Sequence, residues 1–198
     1  MATGFVERVK MFITSPGKAF EKEHKTTLKE SMKYGFIGLL ILAILLSITT
    51  SITGLFSSAG LGELGFLSIP LIFILVLFAG FVGLLITALW YHLWAYIFGA
   101  RQGYKTTIKA LFFSNTPTYI LGWIPIVNFI TGIWSLIIFG IGLKKLQKLS
   151  TGRAVAAIVI AVIIPLIIFA AIILWAIATF GPEILTNNTT TSASLIPY

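Results

Sequence analysis

The stretch Lys105 to Lys145, KTTIKALFFSNTPTYILGWIPIVNFITGIWSLIIFGIGLKK, reads as two membrane crossings joined by a tight turn. Basic residues mark both ends. From Leu111 through Leu143 no side chain is ionised at neutral pH, yet the small and polar run Ser114-Asn115-Thr116-Pro117 sits inside the first apolar half. A proline there frees backbone groups that lipid cannot satisfy, so the segment is expected to kink and to face other helices. Thr116, as the residue before proline, is itself biased away from helix.

The rest of the chain has the same character. Of its 198 residues 58% are hydrophobic and 10% charged, with a mean hydropathy of +1.01. A soluble domain of this size is roughly half apolar and about a quarter charged. The expected class is therefore an all-α, polytopic integral membrane protein. The absence of cysteine excludes disulfides, thiolate metal ligands and cysteine nucleophiles.

The net charge of +8 raises nucleic acid as a partner, and the distribution of the charge argues against it. The lysines and arginines fall in three clusters: Arg8 to Lys33, Arg101 to Lys109, and Lys144 to Arg153. The intervening loops carry none. This alternation is what the positive-inside rule gives for an odd number of spans, with the N-terminus cytoplasmic and the C-terminus outside. In a prokaryote the location would be the cell membrane. No signal peptide is apparent in the mixed-charge first 33 residues.

Residues 1–33 are expected to form a cytoplasmic region of two helices. In the first, Phe5, Val9, Phe12 and Ile13 share a face, which reads as an amphipathic helix on the inner membrane surface. Ser15-Pro16 starts a second, charged helix through about Lys33, with Glu21 and Lys25 at a favourable four-residue spacing. Residues 34–181 hold five spans, about 35–56, 66–98, 106–122, 125–143 and 154–180, and Gly181-Pro182 ends the last. Residues 182–198 read as a mobile outer tail, in which Asn187 and Asn188 each begin a glycosylation triplet.

Within the spans, Ser47, Thr49, Thr50, Ser51 and Thr53 are expected to bond back to the helix or to a neighbour. Gly80 and Gly83 offer close helix approach. Asn128 is placed to cap the fourth span or to bond to the turn before it, and the mid-span Trp134 requires a partner for its indole N–H, so its face should turn inward.

No catalytic, metal or cofactor site emerges. His92, at the inner boundary among Trp90, Tyr91, Trp94 and Tyr96, has no acidic residue in any span to work with. It joins Ser114, Asn115, Thr116 and Pro117 as a candidate polar intramembrane cluster. Lys18, Lys22, Arg101, Lys105, Lys144, Lys145 and Arg153 are candidate contacts to anionic lipid headgroups. The expected partners are the bilayer, with a cytoplasmic protein or a second copy of the chain beyond it.

The opening Ser15-Pro16-Gly17-Lys18-Ala19-Phe20 and the progression Pro117, Trp123-Ile124-Pro125, Trp134, Gly142-Leu143-Lys144-Lys145, Ser150-Thr151-Gly152-Arg153 carry a resemblance. Over about residues 12 to 180 the chain resembles the Yip (Ypt-interacting protein) family, in the manner of its compact prokaryotic or archaeal members. The resemblance implies a five-span, non-enzymatic protein that organises membrane or recruits partners at the cytoplasmic face. The acidic and tyrosine-containing segments that eukaryotic members carry in a longer N-terminal region are not evident here, a departure that leaves Rab-type GTPase binding open. The alternative is a small transporter, channel or lipid scramblase that uses the kinked third span.

Overall fold

Thr27-Leu28-Lys29-Glu30 decides where the first long helix begins. The Glu30 N–H donates to Thr27 Oγ1 (3.3 Å) and the Thr27 N–H donates to Glu30 Oε2 (3.1 Å), a reciprocal capping box. The computed structural model describes residues 4–55 and 67–193. Its elements are α1 (Phe5–Thr14), α2 (Pro16–Lys22), α3 (Leu28–Leu55), α4 (Ser68–Ile97), α5 (Tyr104–Ser114), α6 (Thr116–Leu121), α7 (Pro125–Leu146) and α8 (Thr151–Ala193). The described residues are helical with no strands. The expected outer turn around Glu63 lies outside them.

The charged helix expected to reach Lys33 is thus split. Pro16 opens α2 as foreseen, but α2 ends at Lys22, and the capping box restarts the chain as α3, which absorbs Lys29 and Lys33 into the foot of the first span. Glu21 does not pair with Lys25. It accepts a charge-assisted hydrogen bond from Lys145 near the end of α7.

Helix α1 also differs from expectation. Phe5, Val9 and Phe12 do form its apolar face, but that face is turned onto protein. Phe12 is fully buried, stacked on Phe113 with ring centroids 4.8 Å apart and edge-on to Phe20 at 5.0 Å. Phe5 meets Tyr34 at 5.1 Å. An apolar stripe on an amphipathic helix is satisfied equally by lipid or by a neighbouring aromatic surface, and here the aromatic surface covers it. Arg8 fastens the helix by donating from Nε to Glu23 Oε1 at 2.9 Å.

Among the described residues four helices are long and apolar enough to cross a membrane, within Leu28–Thr50, Ile69–Ile97, Pro125–Leu146 and Thr151–Thr179. Ile74, Phe78, Ile86 and Leu89 of α4, with Ile126 and Phe129 of α7, are exposed on the protein surface. So much contiguous apolar surface is intolerable in water and ordinary in lipid. This is a multi-pass membrane protein. The third expected span is not one helix: α5 and α6 meet at Asn115, so the kink falls where the Ser114 to Pro117 run placed it.

The chain divides into two compact units, residues 1–158 and 159–198. In the first, α5 is central, packed against α3, α4 and α7, while α6 packs on α3 and α7. Close approach is carried by Gly80, as the sequence suggests, and more tightly by two glycines that the sequence reading did not single out. A Cβ on Gly35 would overlap the Phe112 ring, and one on Gly38 would overlap the Tyr119 ring. A Cβ on Gly80 would lie 3.2 Å from Leu39, the expected close approach, whereas Gly83 faces open space. In the second unit, α8 continues through Pro165 and does not stop at Gly181-Pro182: its backbone is helical to Ala193. A proline removes one ladder bond, and the turns on either side retain theirs. Residues 194–198 of the expected tail, and the side chains of Asn187 and Asn188, lie outside what is described.

Candidate functional site

At the α5–α6 junction each expected polar residue first satisfies the backbone that the kink disturbs. Ser114 Oγ donates to the Leu111 carbonyl (2.9 Å), Asn115 Nδ2 donates to the same carbonyl (2.9 Å), and Thr116 Oγ1 donates to the Phe113 carbonyl (2.5 Å). Such back-bonding is how hydroxyl and amide side chains permit a bend where no water is present. Tyr34 of α3 then reaches the buried Thr116 hydroxyl (2.8 Å), and Thr118 of α6 meets Ser135 of α7 (3.1 Å). The junction is therefore cross-tied to two long helices. Ser47 and Thr49 behave as expected, donating to the carbonyls of Ala43 and Leu45.

Beside the junction is a cavity of about 210 Å³ between α4, α5, α6 and α7. Ser114, Asn115, Thr118 and Ser135 line it together with Thr87 and Tyr91. Thr116 and Pro117 are buried but are not among its lining residues.

His92 does not join this cluster. Its Nδ1 lies 2.8 Å from Thr107 Oγ1, and that oxygen accepts from Gln147 Nε2 at 2.9 Å. Gln147 is 2% exposed, donates also to the Gly103 carbonyl (2.8 Å), and accepts the Gln102 N–H at Oε1 (3.0 Å). His92 thus belongs to a buried polar clasp that joins the loop before α5 to the end of α7. Gln147 was missed because a lone glutamine in a basic loop carries no spacing signal. Among the described residues no three metal-ligating side chains come together.

The expected headgroup contacts divide into two groups. Lys22 pairs with Glu7 (2.8 Å) and Lys145 with Glu21, while Arg101 lies 4.2 Å over the Tyr96 ring and donates to the Tyr96 and Ala100 carbonyls. Lys18, Lys105, Lys144 and Arg153 are exposed. The three basic stretches nevertheless converge. Lys109 donates to the His24 carbonyl (3.1 Å), Gln147 clasps residues 102–103, and a Cβ on Gly99 would lie 3.4 Å from an Arg153 guanidinium nitrogen. Gly99 has a φ of +102°, a conformation that suits glycine at this crowded corner.

The inward turn expected of Trp134 and the cap expected of Asn128 both fail. Trp134 is 41% exposed, because Ser135 and Thr131, and not the indole, take the buried side of α7. Asn128 caps nothing: α7 begins at Pro125, and the Asn128 N–H already bonds the Ile124 carbonyl (2.7 Å).

With this arrangement in place, comparison with protein families is decisive. A family model described as the Yip1 domain matches residues 10–174. The chain belongs to the Yip1 domain family. The match runs from within α1 into α8 and so covers α2 through α7 whole. Comparisons with curated proteins and with solved structures return no match.

Proposed function

We propose that this Yip1 domain protein is a non-enzymatic membrane organiser that recruits a partner at a single basic, cytoplasmic face. The observation that carries the proposal is the convergence of the three basic stretches through Lys145 to Glu21, Lys109 to His24, and Gln147 to residues 102–103. Exposed Lys18, Lys105 and Lys144 on that face suit anionic headgroups or an acidic protein surface, at about 1 kcal/mol of attraction per cation near an anionic membrane. His92, held in the Thr107 and Gln147 clasp, acts as a structural acceptor in this reading.

The same convergence supports five crossings. Residues 103 and 147 are hydrogen-bonded neighbours, so the chain between them crosses the bilayer an even number of times. Helix α7 is one such crossing, which makes α5 and α6 together the other. The N-terminus is then cytoplasmic and the C-terminus outside.

Charge reversal at Lys18, Lys105 and Lys144, assayed by pull-down of the full chain from native membrane, tests the recruitment. Loss of co-isolated partners with an unchanged melting profile is the expected result. An unchanged partner set, with unchanged membrane morphology on deletion of the protein, contradicts it. The cavity at the α5–α6 junction favours a second reading, a small transporter, channel or lipid scramblase, which proteoliposome flux above background would support.

A further inference from the structure

The cavity at the helix interruption has a particular hydrogen-bonding balance. The Ser114 hydroxyl and one Asn115 amide hydrogen are already donated to the Leu111 carbonyl, and Thr118 and Ser135 share one donor between them. What the lining still offers is mixed. Hydroxyl lone pairs and the Asn115 carboxamide oxygen accept, while the second Asn115 amide hydrogen, the remaining hydrogen of the Thr118–Ser135 pair and the Thr87 and Tyr91 hydroxyls can donate. A hydroxyl group, itself donor and acceptor, can satisfy that balance. No lining side chain is charged at neutral pH, so an ionic guest would enter without a counter-charge, at a prohibitive desolvation cost. The remaining wall, which includes Leu84, Leu136 and Phe139, is apolar. At ~30 Å³ per water the volume of about 210 Å³ holds roughly seven waters, room for a headgroup-sized molecule.

We propose that this cavity is a binding site for an uncharged, hydroxyl-bearing molecule, either a soluble polyol or the glycerol end of a neutral lipid. Its hydroxyls donate to Ser114, Asn115 and the Thr118–Ser135 pair, while its carbon skeleton lies on Leu84 and Phe139. The site is separate from the basic face, and its failure would leave partner recruitment untouched.

Gly132 supplies a clean test. It lines the cavity, and a Cβ there meets nothing within 4 Å, so a side chain can start at this position without a clash and Gly132→Leu is chosen to occupy the space. Full-length protein in detergent is titrated with glycerol and, separately, with octanoylglycerol, and binding is read as a concentration-dependent rise in melting temperature. The wild-type chain is expected to respond, Gly132→Leu to lose the response, and Asn115→Leu to bind about tenfold more weakly, the equivalent of one hydrogen bond. A response to glycerol identifies a soluble polyol as sufficient, and a response to octanoylglycerol alone identifies a lipid-borne hydroxyl; both support the site. An equal response from wild type and Gly132→Leu, or no response to either ligand, overturns it.

Discussion

At the residue scale the fold depends on where a side chain is absent. Gly38 admits the ring of Tyr119, a fully enclosed residue with no room to retreat, so Gly38→Ala is expected to cost about 1–3 kcal/mol of overpacking. Gly83→Ala on the neighbouring long helix meets nothing, and should be neutral or stabilising by up to about 1 kcal/mol through helix propensity. Thermal melts of the two variants in the same detergent check the contrast. Equal losses would mean that the α3–α6 approach is looser than described. The sequence offered Gly80 and Gly83 as approach points and passed over Gly35 and Gly38. Spacing alone does not distinguish a glycine facing an aromatic ring from one facing open space, because the partner lies on another helix more than seventy residues away.

At the scale of elements, what was legible depended on whether the determinant was local. Pro16 opening α2, the interruption at Asn115 and the turn before Pro125 are set by one or two neighbouring residues, and all three stand in the structure. The Thr27 and Glu30 capping box was equally local and would have split the charged helix correctly, but it was hidden within a run of alternating charge. Two features were not legible: the destination of α1, whose apolar face fits a bilayer as well as it fits Tyr34 and Phe113, and the exposure of Trp134. The candidate polar run was legible and its cavity was not, since Thr87 and Ser135 come from separate helices.

The docking of α1 leads to a sharp expectation. Arg8→Ala strips a cation from Glu23, whose side chain is 3% exposed but keeps the Thr26 hydroxyl as a donor, so the loss of this charge-assisted hydrogen bond costs about 1.5–3 kcal/mol. Hydrogen exchange in α1 should accelerate while that of α4 is unchanged; slow exchange in α1 would assign its docking to the aromatic cluster alone. Helix α2 carries a pH-dependent tie. The Lys145 ammonium, through its hydrogen bond and its charge, holds the Glu21 carboxyl below its ordinary range. A depressed carboxylate contributes its tie fully above the ordinary pKa and loses it as pH falls through the depressed one. Exchange protection of α2 should therefore hold from neutral pH down to the ordinary carboxylate pKa, decline as pH falls below it, and be lost once the depressed one is passed. Glu21→Gln should remove that decline, and an identical profile in the variant would show that the pair does not hold α2.

At the scale of the molecule, one arrangement links fold, family and function. Basic stretches far apart in the chain are gathered at one end by Gln147, Lys109 and Lys145, while long apolar helices leave most of their surface to lipid. The absence of native cysteine makes this directly measurable. Single cysteines introduced by Lys18→Cys, Gln102→Cys, Lys148→Cys and Trp123→Cys, reacted with a membrane-impermeant maleimide in intact cells and then in inverted vesicles, report the side of each position. The account predicts that the first three react only from the cytoplasmic side and that Trp123→Cys reacts only from the opposite side. Labelling of Gln102→Cys and Lys148→Cys from opposite sides, or of Trp123→Cys from the same side as both, would contradict it.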